Sequence, residues 1–231
     1  MSLAVMQPYL FPYIGYYQLA YLSDIFVFYD DVNYIKNGYI NRNEILTKNG
    51  RQLFTLPVNK ASSFTPIKDL YFSDNIRKIL AQITQAYSKA PYFNDVYPIV
   101  EKVFISKNRS VEYMTSMSII EVFKYLNVDF NYFFSSALAY ERQKSAEFKL
   151  FEMCKLFGSR KYVNSIGGSA LYNKSNFLKE GVELLFLSSK ECHYSQFNND
   201  SVFQDNLSII DVLMNNGKDS ILELLANYEL K

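Results

Sequence analysis

The chain has no tryptophan, a single histidine (His193) and two cysteines (Cys154 and Cys192) in 231 residues. One histidine cannot supply an imidazole-rich metal centre. Two isolated cysteines match neither a zinc-ligand spacing nor a disulfide framework. An excess of one charge is also missing: 24 basic and 23 acidic residues leave a net +1. No electropositive field is therefore present to hold a nucleic-acid backbone, and no nucleic-acid partner is expected. No apolar run reaches the length of a membrane-spanning helix. The opening residues lack the charge and cleavage pattern of a secretory signal, so a reducing cytoplasm is the expected compartment. What the chain has in quantity is rings, 20 Tyr and 19 Phe. Tyrosine joins an apolar face to a hydrogen-bonding tip, so it suits a ring-built core and a cleft for sugars or nucleobases equally.

Ala4 to Gln7 reads as a short strand. Met1, Ser2 and Leu3 are then expected to lie before the fold, as an expression scar would. Pro8 and Pro12 keep the next loop extended. Gly15 to Leu22 reads as a helix. Ile25 to Tyr29 is a continuous apolar run, which predicts a strand covered on both faces. Lys48-Asn49-Gly50 is a hairpin signal before a strand over 52–58, and 68–72 reads as another strand. Helices are predicted after Ser73 or Asp74, over 94–104 with Pro98 inside, and after Ser110. They form a helical insert, about 73–126, within a single α/β domain spanning 1–231. Strands over 128–134, 162–164 and 182–187 follow. A helix capped by Ser145 and stopped by Gly158 lies between the first two. Two terminal helices are predicted, from Asn206 or Ser208 and from Asp219.

Polar groups fall where these strands end. Backbone N–H groups at the helix start after Gln7–Tyr16 can hold an anion, with Gly15 permitting close approach; a ligand-free turn is the alternative. Asp30 and Asp31 can hold Mg²⁺ or orient an amine, or Asp31 can form a surface bridge with Lys36 or Arg42. Arg42 between Asn41 and Asn43 offers a planar fork for phosphate or carboxylate, or is simply solvated. Gly167-Gly168 can accommodate a phosphate or make a plain turn; no GxxxxGK[ST] run is present. His193 is the candidate proton shuttle. Its neighbour Cys192 would point away from it in an extended segment.

Several of these stretches resemble one family: Gln7 to Leu19, Asp30-Asp31-Val32, Asn41-Arg42-Asn43, Gly167-Gly168 to Tyr172, Tyr194-Ser195-Gln196, and Leu207 to Asp211 with Gly217. The chain is identified by them as similar to the WbqC-like protein family. That resemblance implies a part in cell-surface polysaccharide (O-antigen) synthesis, acting on a small-molecule sugar or nucleotide-linked sugar. Transfer of an acyl or aminoacyl group to an amino sugar is the expected chemistry. Nucleotidyl transfer to a sugar phosphate and a non-catalytic sugar-nucleotide binding subunit are the alternatives. The expected catalytic groups are His193, Asp30 and Asp31. The expected binding groups are Gln7, Tyr13, Gly15, Tyr16, Lys36, Asn41, Arg42, Asn43, Gly167, Gly168, Tyr172, Tyr194 and Gln196. The opening strand–loop–helix–strand also resembles nucleotidylyl transferases and pantothenate synthetase, which implies a Rossmann-like, mostly parallel sheet. Their His-x-Gly-His run reads here Tyr13-Ile14-Gly15-Tyr16. Phenols can donate to phosphate but carry no imidazolium charge, so ATP and Mg²⁺ stay open as cofactors.

Overall fold

A computed structural model describes residues 1–191, 193–196 and 202–231. The reading of Cys192 lies outside the described residues. The chain opens with β1 (Ser2–Met6), α1 (Ile14–Leu22) and β2 (Ile25–Phe28). A hairpin follows, β3 (Arg42–Thr47) and β4 (Gly50–Thr55), paired through six residues each. Gly50 takes φ +92° at its turn, a region that glycine enters without a Cβ clash. Two-residue strands β5 (Val58–Asn59) and β6 (Tyr71–Phe72) pair with each other. Next come α2 (Arg77–Tyr87), α3 (Phe93–Phe104) and α4 (Val111–Leu126). The chain then returns to the sheet with β7 (Tyr132–Phe134), α5 (Ala146–Leu156), β8 (Lys161–Ser165), α6 (Lys174–Lys179) and β9 (Glu183–Ser189). It closes with α7 (Ile209–Asn215), α8 (Lys218–Ala226) and β10 (Tyr228–Leu230).

The main sheet has the order β10-β9-β8-β1-β2-β7, parallel throughout except for β10. This is the α/β, mostly parallel architecture that the sequence predicts. All four residues of β2 are buried, because both faces of the sheet are covered. Strand alternation divides the core in two. Leu3, Val5, Ile25, Val27, Tyr162 and Phe186 pack against α5 and α6. Ala4, Phe26, Phe28, Val163 and Leu187 pack on the opposite side, with residues of α1, α4, α7 and α8. The helices of the 73–126 region bury Ile79, Ile83, Val100 and Ile119 in that second cluster too. In chain order the five parallel strands are β1, β2, β7, β8 and β9. In the sheet β2 and β7 lie to one side of β1, and β8 and β9 to the other. The winding therefore reverses between β1 and β8, and the crevice outside their carboxyl ends is where such sheets take ligands.

Several boundaries depart from expectation. Ser2 and Leu3 belong to β1: they pair with Lys161 and Tyr162, and Leu3 is fully buried. The 52–58 run is two strands, broken at Leu56-Pro57 where the ladder ends. A 3₁₀ turn over Ile67–Asp69 takes the start of the strand expected at 68–72, and only Tyr71–Phe72 of that stretch is strand. α2 begins behind Ile76, with no side-chain cap, rather than after Ser73 or Asp74. α3 runs continuously through Pro98. Gly217, not Asp219, precedes α8. Neither α6 nor β10 was predicted.

Candidate functional site

Asp30 and Asp31 leave the end of β2 towards opposite faces, and both meet Ser135 at the end of β7. Asp30 is fully buried. Its Oδ1 accepts from Ser136 N at 2.9 Å and lies 2.8 Å from Ser135 Oγ. Its Oδ2 is buried with no hydrogen-bond partner. Asp31 lies 2.5 Å from the same Oγ, accepts from Tyr140 OH at 2.8 Å and pairs with Arg142 Nε at 2.7 Å. Its side chain is only 3% exposed. The alternative of a surface bridge to Lys36 or Arg42 is replaced by a bridge to Arg142, whose side chain is partly exposed while that of Asp31 is buried. Arg142 is itself held by the carbonyls of Ser135, Ser136 and Leu138. Its guanidinium already supplies the positive charge beside Asp31, so this pair does not fit Mg²⁺. Among the described residues no group of three or more His, Cys, Asp or Glu can hold a metal ion.

Asp31 borders a ring of tyrosines on the α5–α6 side of the sheet. Tyr29 hydrogen-bonds to Tyr140, and burial, then the Asp31 charge, pushes Tyr29 up to about 12. Burial also raises Tyr140 and Tyr172, the latter with help from Glu147. Tyr29 N donates to Met6 O at 2.8 Å, which continues the β1–β2 ladder past its last pair. Alternation from Leu3 and Val5 then puts Gln7 on the same face as Tyr29. Gln7 is half-buried, and its side chain makes no hydrogen bond among the described residues. On the other side of the switch point, Asn164 is the next-to-last residue of β8. A Cβ on Gly168 would come 2.9 Å from Asn164 Nδ2, so that glycine lets the amide lie against the loop. Gln7, Tyr29, Asp31, Asn164 and Tyr172 thus share one face at the carboxyl ends of the strands. Tyr29, Ser135, Tyr140, Arg142 and Asn164 were missed in the sequence. Tyr29, Ser135 and Asn164 were signalled only by their place at or near strand ends, and Tyr140 and Arg142, in the connection between β7 and α5, by nothing local.

A cavity of about 460 Å³ opens on the α1 side, where β9 ends. Ile14, Ser189, Lys190, His193 and Phe203 line it. His193 therefore does lie beside the N-terminal motif. It is exposed, 3.5 Å from Glu191 and edge-on to Phe203. The ends of β9 and β2 are three strand spacings apart, about 14 Å, so His193 and the aspartates do not act on one atom together. A second cavity of about 260 Å³, lined by Tyr9, Tyr13, Tyr39, Asn43 and Arg51, shares Asn206 with the first.

The profile of the WbqC-like protein family matches residues 7–223. The chain belongs to this family. An uncharacterized protein of Mycobacterium tuberculosis is 24% identical over 228 residues, covering 95% of each chain. No solved structure matches. Among the described residues no helix is long and apolar enough to cross a membrane.

Much of what marks this WbqC-like chain in sequence holds the fold. Phe11 sits at φ +45°. Its N–H donates to Ser118 Oγ at 2.9 Å, and its carbonyl accepts from Asn43 Nδ2 at 2.7 Å and Ser208 Oγ at 2.8 Å. Asn41 accepts from Tyr34 OH and donates to Leu56 O. Arg42, between the two, is committed to the carbonyls of Asn37 and Gly38 and lies over Tyr39. Lys36 is exposed in the preceding loop. Tyr16 is buried and donates to Gln7 O, so its hydroxyl faces no phosphate. Gly15 has a packing reason: a Cβ there would meet Tyr13 Cε2 at 2.5 Å and Ser189 Oγ at 2.9 Å. Gly167 and Gly168 form a 3₁₀ turn. Tyr194 and Gln196 join Tyr87 around the buried Asp211 carboxylate, at 2.7 Å, 3.3 Å and 2.7 Å. Burial raises Asp211, while the three donors pull it back down.

Proposed function

We propose that this WbqC-like chain is a cytoplasmic transferase of cell-surface polysaccharide synthesis, working as one α/β unit with an inserted helical segment. It moves an acyl or aminoacyl group onto the amine of an amino sugar or nucleotide-linked sugar. The observation that carries this reading is the gathering of Gln7, Tyr29, Asn164 and Tyr172 at the switch point of the sheet, around the Asp31–Arg142 pair. Amides and phenols suit the hydroxyls and ring face of a sugar. The amine nitrogen attacks the carbonyl carbon of the activated donor, an amide forms, and the donor's leaving group departs. The amine proton passes to Asp31 by way of Tyr140. In this reading Lys190 and His193, which line the cavity beside α1 together with Glu191 and Asp205, are the cations that would meet the phosphates of a nucleotide-linked substrate.

The test is incubation with a panel of nucleotide-linked amino sugars and acyl thioesters, or amino acids with ATP, read by mass spectrometry. An amide product is expected, and Tyr140→Phe, which removes the hydroxyl that passes the amine proton to Asp31, should lower its rate about tenfold to a hundredfold. Gly168→Ala, whose methyl would crowd Asn164, should raise KM more than it lowers kcat. No product across the panel, with sugar-nucleotide binding retained, would leave a non-catalytic binding subunit. The lysine-and-histidine cavity favours a second reading, nucleotidyl transfer to a sugar phosphate. Pyrophosphate release that depends on the sugar phosphate would select it.

A further inference from the structure

We infer that the smaller cavity, between the loop after β1, the β3–β4 hairpin and the approach to α7, is a subsite for one uncharged pyranose ring, separate from the crevice at the switch point. Its volume of about 260 Å³ suits a single ring with its substituents rather than a whole nucleotide. Tyr9, Pro12, Tyr13 and Tyr39 supply ring and apolar surface, on which the C–H face of a sugar can lie. The polar groups of the lining fall in two sets. One is spent within the protein. Asn43 donates to Phe11 O at 2.7 Å and accepts from Glu44 N at 2.8 Å. Arg51 donates to Glu44 Oε2 at 3.1 Å, Gln204 Oε1 at 2.8 Å and Asp205 Oδ1 at 2.7 Å. The other set is open to a ligand. Among the described residues the hydroxyls of Tyr9, Tyr13 and Tyr39, Glu44 Oε1 and the Asn206 side-chain amide have no hydrogen-bond partner.

These open groups decide the class of ligand. Two carboxylates on one guanidinium leave that rim with a net negative charge, which turns a phosphate away. The open set mixes phenols and an amide, which donate and accept, with a carboxylate oxygen, which only accepts. It comes from three separate segments of the chain. A nucleobase carries its polar groups in one plane along its edge, whereas a pyranose carries hydroxyls, each a donor and an acceptor, around its whole ring. Burial, and then the neighbouring Tyr13, raises Tyr9, and burial raises Tyr13, so both phenols keep their hydrogens. The walls are also formed in advance of any ligand, which lowers the cost of binding. Leu10 N donates to Ile40 O at 3.0 Å, Ile209 N to Pro12 O at 2.8 Å, and Ser208 N to Glu44 O at 2.8 Å. Gly15 lets the Tyr13 ring lie against α1, since a Cβ there would meet that ring at 2.5 Å. Asn206 also lines the cavity of Lys190 and His193, so the subsite adjoins it. The subsite does not rest on the transferase reading.

The experiment is NMR titration of the full chain, carrying ¹³C-labelled tyrosine, with free glucose, galactose, mannose and N-acetylglucosamine, and separately with uridine monophosphate and inorganic phosphate. The Tyr9 and Tyr13 ring signals are assigned by their loss in Tyr9→Phe and Tyr13→Phe. At least one of the four sugars should move both signals saturably, and neither phosphate compound should. Each phenylalanine variant should weaken that sugar about threefold to tenfold, one hydrogen bond's worth. Its urea midpoint should stay unchanged, because the lost hydroxyl has no partner in the protein. Sugars that leave both signals unmoved, uridine monophosphate moving them in preference, or unchanged affinity in both variants overturns the proposal. If a variant fails to fold, saturable movement of paired ring signals in the native chain, lost on Gly15→Ala, decides in its place, and its absence overturns the proposal equally. Sugars that move only signals at the switch point would sink this subsite and leave the transferase reading standing. Failure of the product screen leaves the subsite standing.

Discussion

Phe11 shows how the motif residues are used. A ring residue at φ +45° costs about 1–3 kcal/mol, and it persists here because three side chains hold its two backbone groups. Asn43→Ala would strand one of those contacts in a buried place. A loss of about 1–3 kcal/mol in urea denaturation is expected, with no effect on ligand affinity in the folded fraction. A loss of affinity without a loss of stability would instead return Asn43 to the binding groups. The triplet around Arg42 was legible as a motif but not as a structural one, because Asn43 meets its partner 32 residues away. Asp211 gives a pH signature. Its carboxyl is raised by burial, so its contribution to stability is full below the unfolded aspartate value, near 3.9, and falls as pH rises through the folded value. Compared with Asp211→Asn, the native chain should therefore gain relative stability between neutral pH and about pH 4. Paired urea melts at the two ends of that range check the sign. An unchanged difference would mean that the tyrosine and glutamine donors fully offset the burial.

At the scale of elements, serine caps were the clearest text. Ser110, Ser145 and Ser208 each accept from a backbone N–H in the first turn of α4, α5 and α7, where the sequence placed them. Ser110→Ala should cost about 1 kcal/mol, seen as a lower denaturation midpoint with an unchanged slope. α2 was placed too early because it has no cap to read; its buried Ile79, Ile83 and Tyr87 anchor it instead. β10 was invisible because three residues on a sheet edge carry too little pattern, and their partner is β9. The link that brings this C-terminal end home is Gln18. Its Nε2 donates to Leu224 O and Asn227 O at the end of α8, and its Oε1 accepts from Ser189 Oγ at the end of β9. Gln18→Leu keeps the volume and removes those partners. Faster amide exchange over 218–231 is expected, well before global unfolding. Exchange that rises uniformly along the chain would argue against a local clasp.

For the molecule as a whole, the apolar runs announced strands covered on both faces and the resemblance implied a mostly parallel sheet, but its order was not written in either. The pairing of β1 with β8 joins residues about 160 positions apart, and no local pattern encodes such a partner. That pairing is also the seam of the candidate site, since the winding reverses there. It is recorded at only two positions, Ser2↔Lys161 and Leu3↔Tyr162, with Met1 O also accepting from Ser159 Oγ. The three residues that looked dispensable in sequence therefore join the two halves of the sheet. Removing residues 1–3 should uncouple β8, β9 and β10 from β1 and β2. A large loss of thermal stability is expected by circular dichroism, with early protease cutting between β7 and β8. Tyr29 and Gln7 would remain on one half and Asn164 and Tyr172 on the other, so the proposed sugar-nucleotide binding should vanish even at temperatures where helical signal survives. Retained binding in the shortened chain would show that Ala4 to Met6 alone hold the crevice together.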